Sequence, residues 1–188
     1  MGIGGQLVTI VVDVANVMGS RPDGWWRDRA GAAVRLHAEI VRLAASGRAI
    51  LPGEPGAAGE AREAEAAEVS APGFVMVLEG AAKAAASRLA PSEPDAQAKP
   101  GAQAEPGAQA EPGAQAEPDA SDAGLRPVRP GEVSVVQAAG SGDDAIVAVV
   151  RQLPGRRVVV TADRGLRERC VAAGAEIRGP GWLLGLLG

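Results

Sequence analysis

Residues 7–16 read LVTIVVDVAN: six residues, five of them large aliphatics, stopped by Asp13. A Val/Ile run without polar alternation suits a strand buried on both faces, and such strands belong to parallel sheets covered by helices on either side. The pattern returns three times. FVMVLEG (74–80) stops at Glu79, VSVVQAAGSGDD (133–144) leads to Asp143, and RVVVTADR (157–164) stops at Asp163. Between these runs the spacing predicts helices over 29–45, 81–90, 143–153 and 164–173. It also predicts a short strand near Glu176 and Ile177 and a terminal apolar segment, GWLLGLL. Strand and helix alternate, so the expected fold is α/β with a central parallel sheet between helical layers. The stretch DVANVMGSRPDGWW (13–26), broken by Gly19, Pro22 and Gly24, reads as a loop.

Two stretches cannot be core. Residues 52–72 are built from Ala, Glu, Gly and Pro. Residues 91–131 contain PDAQAK, then PGAQAE three times from Pro100 to Glu117, then PDASDA. Proline in every unit blocks a continuous helix, and no unit carries an anchoring side chain, so a disordered surface spacer is expected. The rest of residues 1–188 is about the size of one domain.

These inserts also hide the charge. They hold 12 acidic and 4 basic residues, whereas the remainder holds 11 acidic and 15 basic, 14 of them Arg. A mildly basic, Arg-rich domain permits nucleic acid as a partner, since guanidinium groups recognise phosphate in a bidentate manner. A bias toward Arg codons accounts for the composition equally well. One cysteine, Cys170, excludes a disulfide framework and a Cys-based zinc site, and a small buried thiol is its expected role. No segment resembles a signal peptide or a membrane span, so a cytoplasmic location is expected.

Four acids at strand ends carry the chemistry. Parallel strands bring their carboxyl ends to one edge, where ligands bind. Carboxylates gathered there repel one another unless a hard cation neutralises them, and oxygen ligands suit Mg²⁺ or Mn²⁺. Asp13, Asp143, Asp163 and Glu79 are therefore candidate metal ligands for phosphodiester hydrolysis, with Asn16 supporting Asp13. Asp144, Thr161 and Ser141 flank them as supporting polar groups, and Asp144 could equally be exposed. Arg164, Arg21 and Arg27 are candidate phosphate contacts. Each residue has a structural alternative. Asp13 and Asn16 suit a turn, Ser141 or Asp143 an N-cap, Asp163 a helix cap, and Glu79 a pair with Lys83. Trp25 and Trp26 could stack on bases or pack over the start of the 29–45 helix. His37 reads as a helix-surface residue.

Other chemistries lack their residues. GIGG precedes a strand where a dinucleotide fingerprint would follow one. No phosphate-cradling G-x-x-x-x-G-K-[ST] and no G-x-S-x-G elbow occur, and one histidine makes no triad.

In their order, VVDVANVMGSR, VLEG, GSGDDAIVAVV and VVVTADRGLRERC resemble the NYN domains of the PIN-like ribonuclease superfamily, with YacP-like bacterial members looking nearest. DVAN carries Val14 where the commoner form is DGxN. The resemblance implies a PIN-like three-layer α/β/α sandwich and Mg²⁺-dependent cleavage of RNA. It also implies an acidic metal set of Asp13, Asp143 and Asp163 supported by Asn16, with Glu79 at a position often acidic in related sequences. Two rival activities remain: a catalytically inactive RNA- or protein-binding module, and a small-molecule nucleotide phosphohydrolase. The GWLLGLL end could be core or a homodimer surface.

Overall fold

The computed structural model describes residues 7–47, 71–89 and 128–188. Five parallel strands form one sheet: β1 (Val8–Asp13), β2 (Gly73–Leu78), β3 (Val133–Gln137), β4 (Arg156–Val160) and β5 (Glu176–Arg178), in the spatial order β3-β2-β1-β4-β5. The helices are α1 (Val14–Gly19), α2 (Arg29–Ala45), α3 (Ala86–Leu89), α4 (Gly142–Gln152), α5 (Arg164–Ala172) and α6 (Pro180–Leu187). Short 3₁₀ turns lie at Trp25–Arg27 and Gly80–Ala85. Together these make a three-layer α/β/α fold.

Successive side chains of a strand point to opposite faces, and both faces here are apolar. Ile10, Val12, Phe74, Met76, Leu78, Val158 and Val160 join a core with Leu36 and Ile40 of α2 and Leu183 of α6. Val11, Val75, Val77 and Val159 join the opposite core with Ile146 and Val150 of α4 and Leu166 and Cys170 of α5. Each fully buried aliphatic contributes roughly 1.5–3 kcal/mol. That double burial is why the strands read as unbroken Val/Ile runs. It also decides GWLLGLL: α6 packs Leu183 into the first core, with Trp182, Leu184, Leu186 and Leu187 partly buried against it. Among the described residues no helix is long and apolar enough to cross a membrane.

Strand order reverses between β1 and β4. From β1 the chain steps outward to β2 and β3, then returns through α4 to the far side of β1. The carboxyl ends of β1 and β4 thus flank the crevice where open α/β sheets bind ligands.

Four expectations need correction. The stretch after Asp13 is not a loop throughout: Val14–Gly19 is helical, because Asp13 accepts the Asn16 N–H at 3.1 Å and caps the first turn. Val14 and Val17 fill the core there. The alanine-rich segment 81–90 starts as a 3₁₀ turn and becomes α-helical only at Ala86. The second insert ends before residue 128, since Val128 is buried and packs against Gly73, where an added Cβ would lie 2.8 Å from it. The first insert likewise ends before Pro72, which is buried and whose carbonyl accepts the Gly131 N–H at 3.2 Å. The remainder of both inserts, 52–70 and 91–127, lies outside the described residues.

Candidate functional site

Asp13 ends the central strand, and its carboxylate is buried. It is an odd-numbered residue of β1, so it shares the face of Val11 and turns toward the α4–α5 layer. Three donors surround it. The Asn16 backbone N–H meets Oδ1 at 3.1 Å, the Asn16 side-chain amide meets Oδ2 at 2.7 Å, and the Thr161 hydroxyl meets Oδ2 at 2.8 Å. The last bond follows from register: Val12 pairs with Val160, so Asp13 and Thr161 are one step beyond on adjacent strands. A carboxylate offers about four lone-pair positions, so about one remains open.

Thr161 is fully buried and joins two acids, since its Oγ1 also accepts the Asp163 N–H at 3.1 Å. Asp163 is exposed and caps α5, its Oδ1 accepting the Leu166 N–H at 2.7 Å. Among the described residues its Oδ2 has no hydrogen-bond partner. Asp163 is therefore the helix cap that the sequence allowed, with one oxygen still directed elsewhere.

Asp143 comes from the other direction, in the first turn of α4. Its carboxylate has no hydrogen-bond partner among the described residues. Its pKa is raised, first by burial and then by the negative charges of Asp163 and Asp13, with Arg169 opposing and Asp144 adding to the rise. Asp143 of α4 thus lies near enough to Asp13 of β1 and Asp163 beyond β4 to feel their negative charges. Arg169 of α5 borders this group and pairs with Asp144. Nothing in the sequence pattern singled Arg169 out; only the packing of α5 beside α4 places it there.

Glu79 has a different surrounding. Its Oε2 accepts the Gly142 N–H at 3.0 Å, the amide at the start of α4. Ser141 is the N-cap of α4, but its side chain makes no capping bond.

The proposed phosphate contacts divide. Arg21 is held by Glu39 of α2 through both guanidinium nitrogens, one at 3.3 Å, so it is not free for phosphate as expected. Arg27 is exposed, and Arg164 is exposed with only a loose i,i+4 contact to Glu168 at 3.4 Å. Trp25 packs: it is partly buried, and the Arg29 guanidinium lies 5.3 Å from its ring centre. Trp26 meets it edge-on and stays 57% exposed. His37 is half-buried within α2, and burial lowers its pKa. Cys170 is buried, and burial pushes its thiol up to about 11, so it is an inert core residue.

The donor set is oxygen-only, which fits Mg²⁺ or Mn²⁺. Among the described residues, however, no three His, Cys, Asp or Glu side chains are gathered closely enough to hold one ion as they stand. No family profile, curated protein or solved structure matches the chain.

Proposed function

We propose that the chain is a Mg²⁺- or Mn²⁺-dependent nuclease acting on RNA, an NYN-like member of the PIN-like ribonucleases. One observation carries this reading. At the switch point of a parallel sheet, Asp143 at the start of α4 lies near enough to Asp13 and Asp163 for their negative charges to raise its pKa. Like charges near one another are unfavourable unless something neutralises them, and a hard cation with a phosphate does so.

In this reading Asp13, Asp143 and Asp163 hold the cation. Asn16 and Thr161 fix the Asp13 carboxylate, and Thr161 couples it to Asp163. The Asp143 carboxylate has no hydrogen-bond partner among the described residues, so it would be free to meet such an ion. Bound there, the cation supplies Lewis-acid activation of water and neutralises charge on the leaving oxygen. Arg164 and Arg27 remain available to phosphates, and the exposed face of Trp26 to a base.

The test is cleavage of single-stranded RNA with Mg²⁺ or Mn²⁺. Asp13→Asn and Asp163→Asn should each lower the rate by more than about 100-fold, beyond the usual cost of losing an outer-sphere partner. Activity equal to wild type in both variants would refute the metal site. One observation favours the rival reading of a binding module without cleavage, namely that the three acids are not preassembled around one point. RNA binding that persists in chelator, with no cleavage in either metal, would establish that rival.

A further inference from the structure

We infer that Glu79 is a positioning residue. It docks the amino terminus of α4 onto the end of β2 and so sets where Asp143 stands. This rests on the reading of Asp143 as a ligand; the dock itself does not.

Glu79 is released from local duty. It precedes the 3₁₀ turn Gly80–Ala85, but that turn is closed by its backbone carbonyl, which accepts the Ala82 N–H at 3.1 Å, and its side chain makes no capping bond there. The carboxylate instead reaches a residue 63 positions away, Gly142, at 3.0 Å. A helix begins with four N–H groups lacking intrahelical partners. In α4 the N-cap side chain of Ser141 satisfies none of them, and Glu79 takes its place. A carboxylate at this end also meets the positive pole of the helix.

The fit requires glycine. A Cβ on Gly142 would lie 2.0 Å from Glu79 Oε2 and 2.7 Å from its carboxyl carbon. Gly142 is buried and Glu79 partly so, and an added methyl group would have to displace the Glu79 carboxylate from this position. A second tie lies just upstream, where the Ala138 N–H donates to the Leu78 carbonyl at 2.9 Å. The entry to α4 is thus fastened to the end of β2 at two points, and Asp143 is the next residue. The fastening holds Asp143 toward Asp13 and Asp163, against the repulsion among the three acids. A carboxylate engaged in this way is a tether on the site's wall, distinct from the fourth ligand that its strand-end position suggested.

The full chain tests this with Glu79→Gln and Glu79→Ala, reading Mn²⁺ affinity by calorimetry and hydrogen exchange of the Gly142 amide against the core amide of Val159. The glutamine oxygen still accepts the Gly142 N–H but is a poor replacement for a metal-bound carboxylate. Expected for Glu79→Gln is Mn²⁺ affinity within about threefold of wild type and slow Gly142 exchange. Expected for Glu79→Ala is faster exchange at Gly142 than at Val159 and a loss of about 10–100-fold in affinity, typical for a group supporting a ligand. Affinity lost in Glu79→Gln as fully as in Asp163→Asn would make Glu79 a ligand and overturn the inference. So would unchanged Gly142 exchange in Glu79→Ala. A wild-type chain that binds no Mn²⁺ overturns the ligand reading of Asp143, a separate failure; the Gly142 exchange comparison then decides the dock by itself.

Discussion

Asp13 and Glu79 end neighbouring strands of one sheet, yet the molecule uses their carboxylates differently. Asp13 pairs in register with Val77, so Glu79 leaves the same end of the sheet two residues farther along, about 6–7 Å. Asp13 collects three donors from its own helix and from Thr161, and it faces two other acids. Glu79 accepts one backbone N–H from the start of α4. A strand end fixes where an acid is, and its partners decide what it does. Short Asp at the switch point is locked and crowded. Longer Glu one strand over reaches the adjacent helix.

The largest effect that sharpens this contrast is expected at Thr161, which belongs wholly to the Asp13 side. Thr161→Val keeps the shape but removes the hydroxyl from Asp13 Oδ2 and leaves the Asp163 N–H without its acceptor. Metal affinity should fall by about 10–100-fold, and stability by about 1–3 kcal/mol because a buried group loses its partner. Calorimetric titration with Mn²⁺ and denaturant melts read both. Unchanged affinity would reduce Thr161 to a fold residue and erase the difference between the two strand ends.

Next in size is the Glu79 side, reached through its glycine. Gly142→Ala places a methyl group against the Glu79 carboxylate and should cost about 1–3 kcal/mol as an overpacked contact. Gly140→Ala, two residues earlier with open space around it, should stay within about 0.5 kcal/mol. Equal melts for the two variants would show that Glu79 moves aside freely and that no tight dock exists.

Much of this arrangement could be read from the chain. The mainly apolar runs at 7–12, 74–78, 133–136 and 157–161 all contain strands, and in β1 and β2 burial on both faces leaves little room for polar alternation. Asp163 capping α5 followed from local chemistry. The failures have physical reasons. The α1 helix is six residues long, too short for periodicity to declare itself, and it exists because Asp13 caps it and Val14 and Val17 are buried. Val128 looked like insert because it follows the proline-containing repeats and stands between Pro127 and Pro130, and only its seat against Gly73 makes it core. Arg21 looked like a phosphate contact because its partner, Glu39, is 18 residues away on a different element. The contact of Glu79 with Gly142 was not foreseen, because a partnership across 63 residues leaves no local trace. Local capping and burial were legible; long-range polar partnerships were not.

The smallest expected effect is thermodynamic, and its sign tests whether the acids at the Asp13 end are held apart by charge. Burial, then Asp163 and Asp13, raise the Asp143 pKa in the folded chain. A carboxyl group with a raised folded-state pKa binds its proton more tightly when folded. Its contribution to stability is fully present below the unfolded-state pKa and is lost as pH rises through the folded-state pKa. At neutral pH without cation the wild-type chain therefore carries a penalty that Asp143→Asn lacks. The variant should melt above wild type at pH 7, by less than the two effects above, and the gap should close as pH falls below about 4. Adding Mg²⁺ should reverse the order, because wild type gains binding free energy that the variant cannot. Thermal melts over pH 3–8 with and without Mg²⁺ measure this directly. An Asp143→Asn chain that melts below wild type at pH 7 in chelator would mean that Asp143 is held by a favourable contact, and the crowding that separates Asp13 from Glu79 would lose its basis.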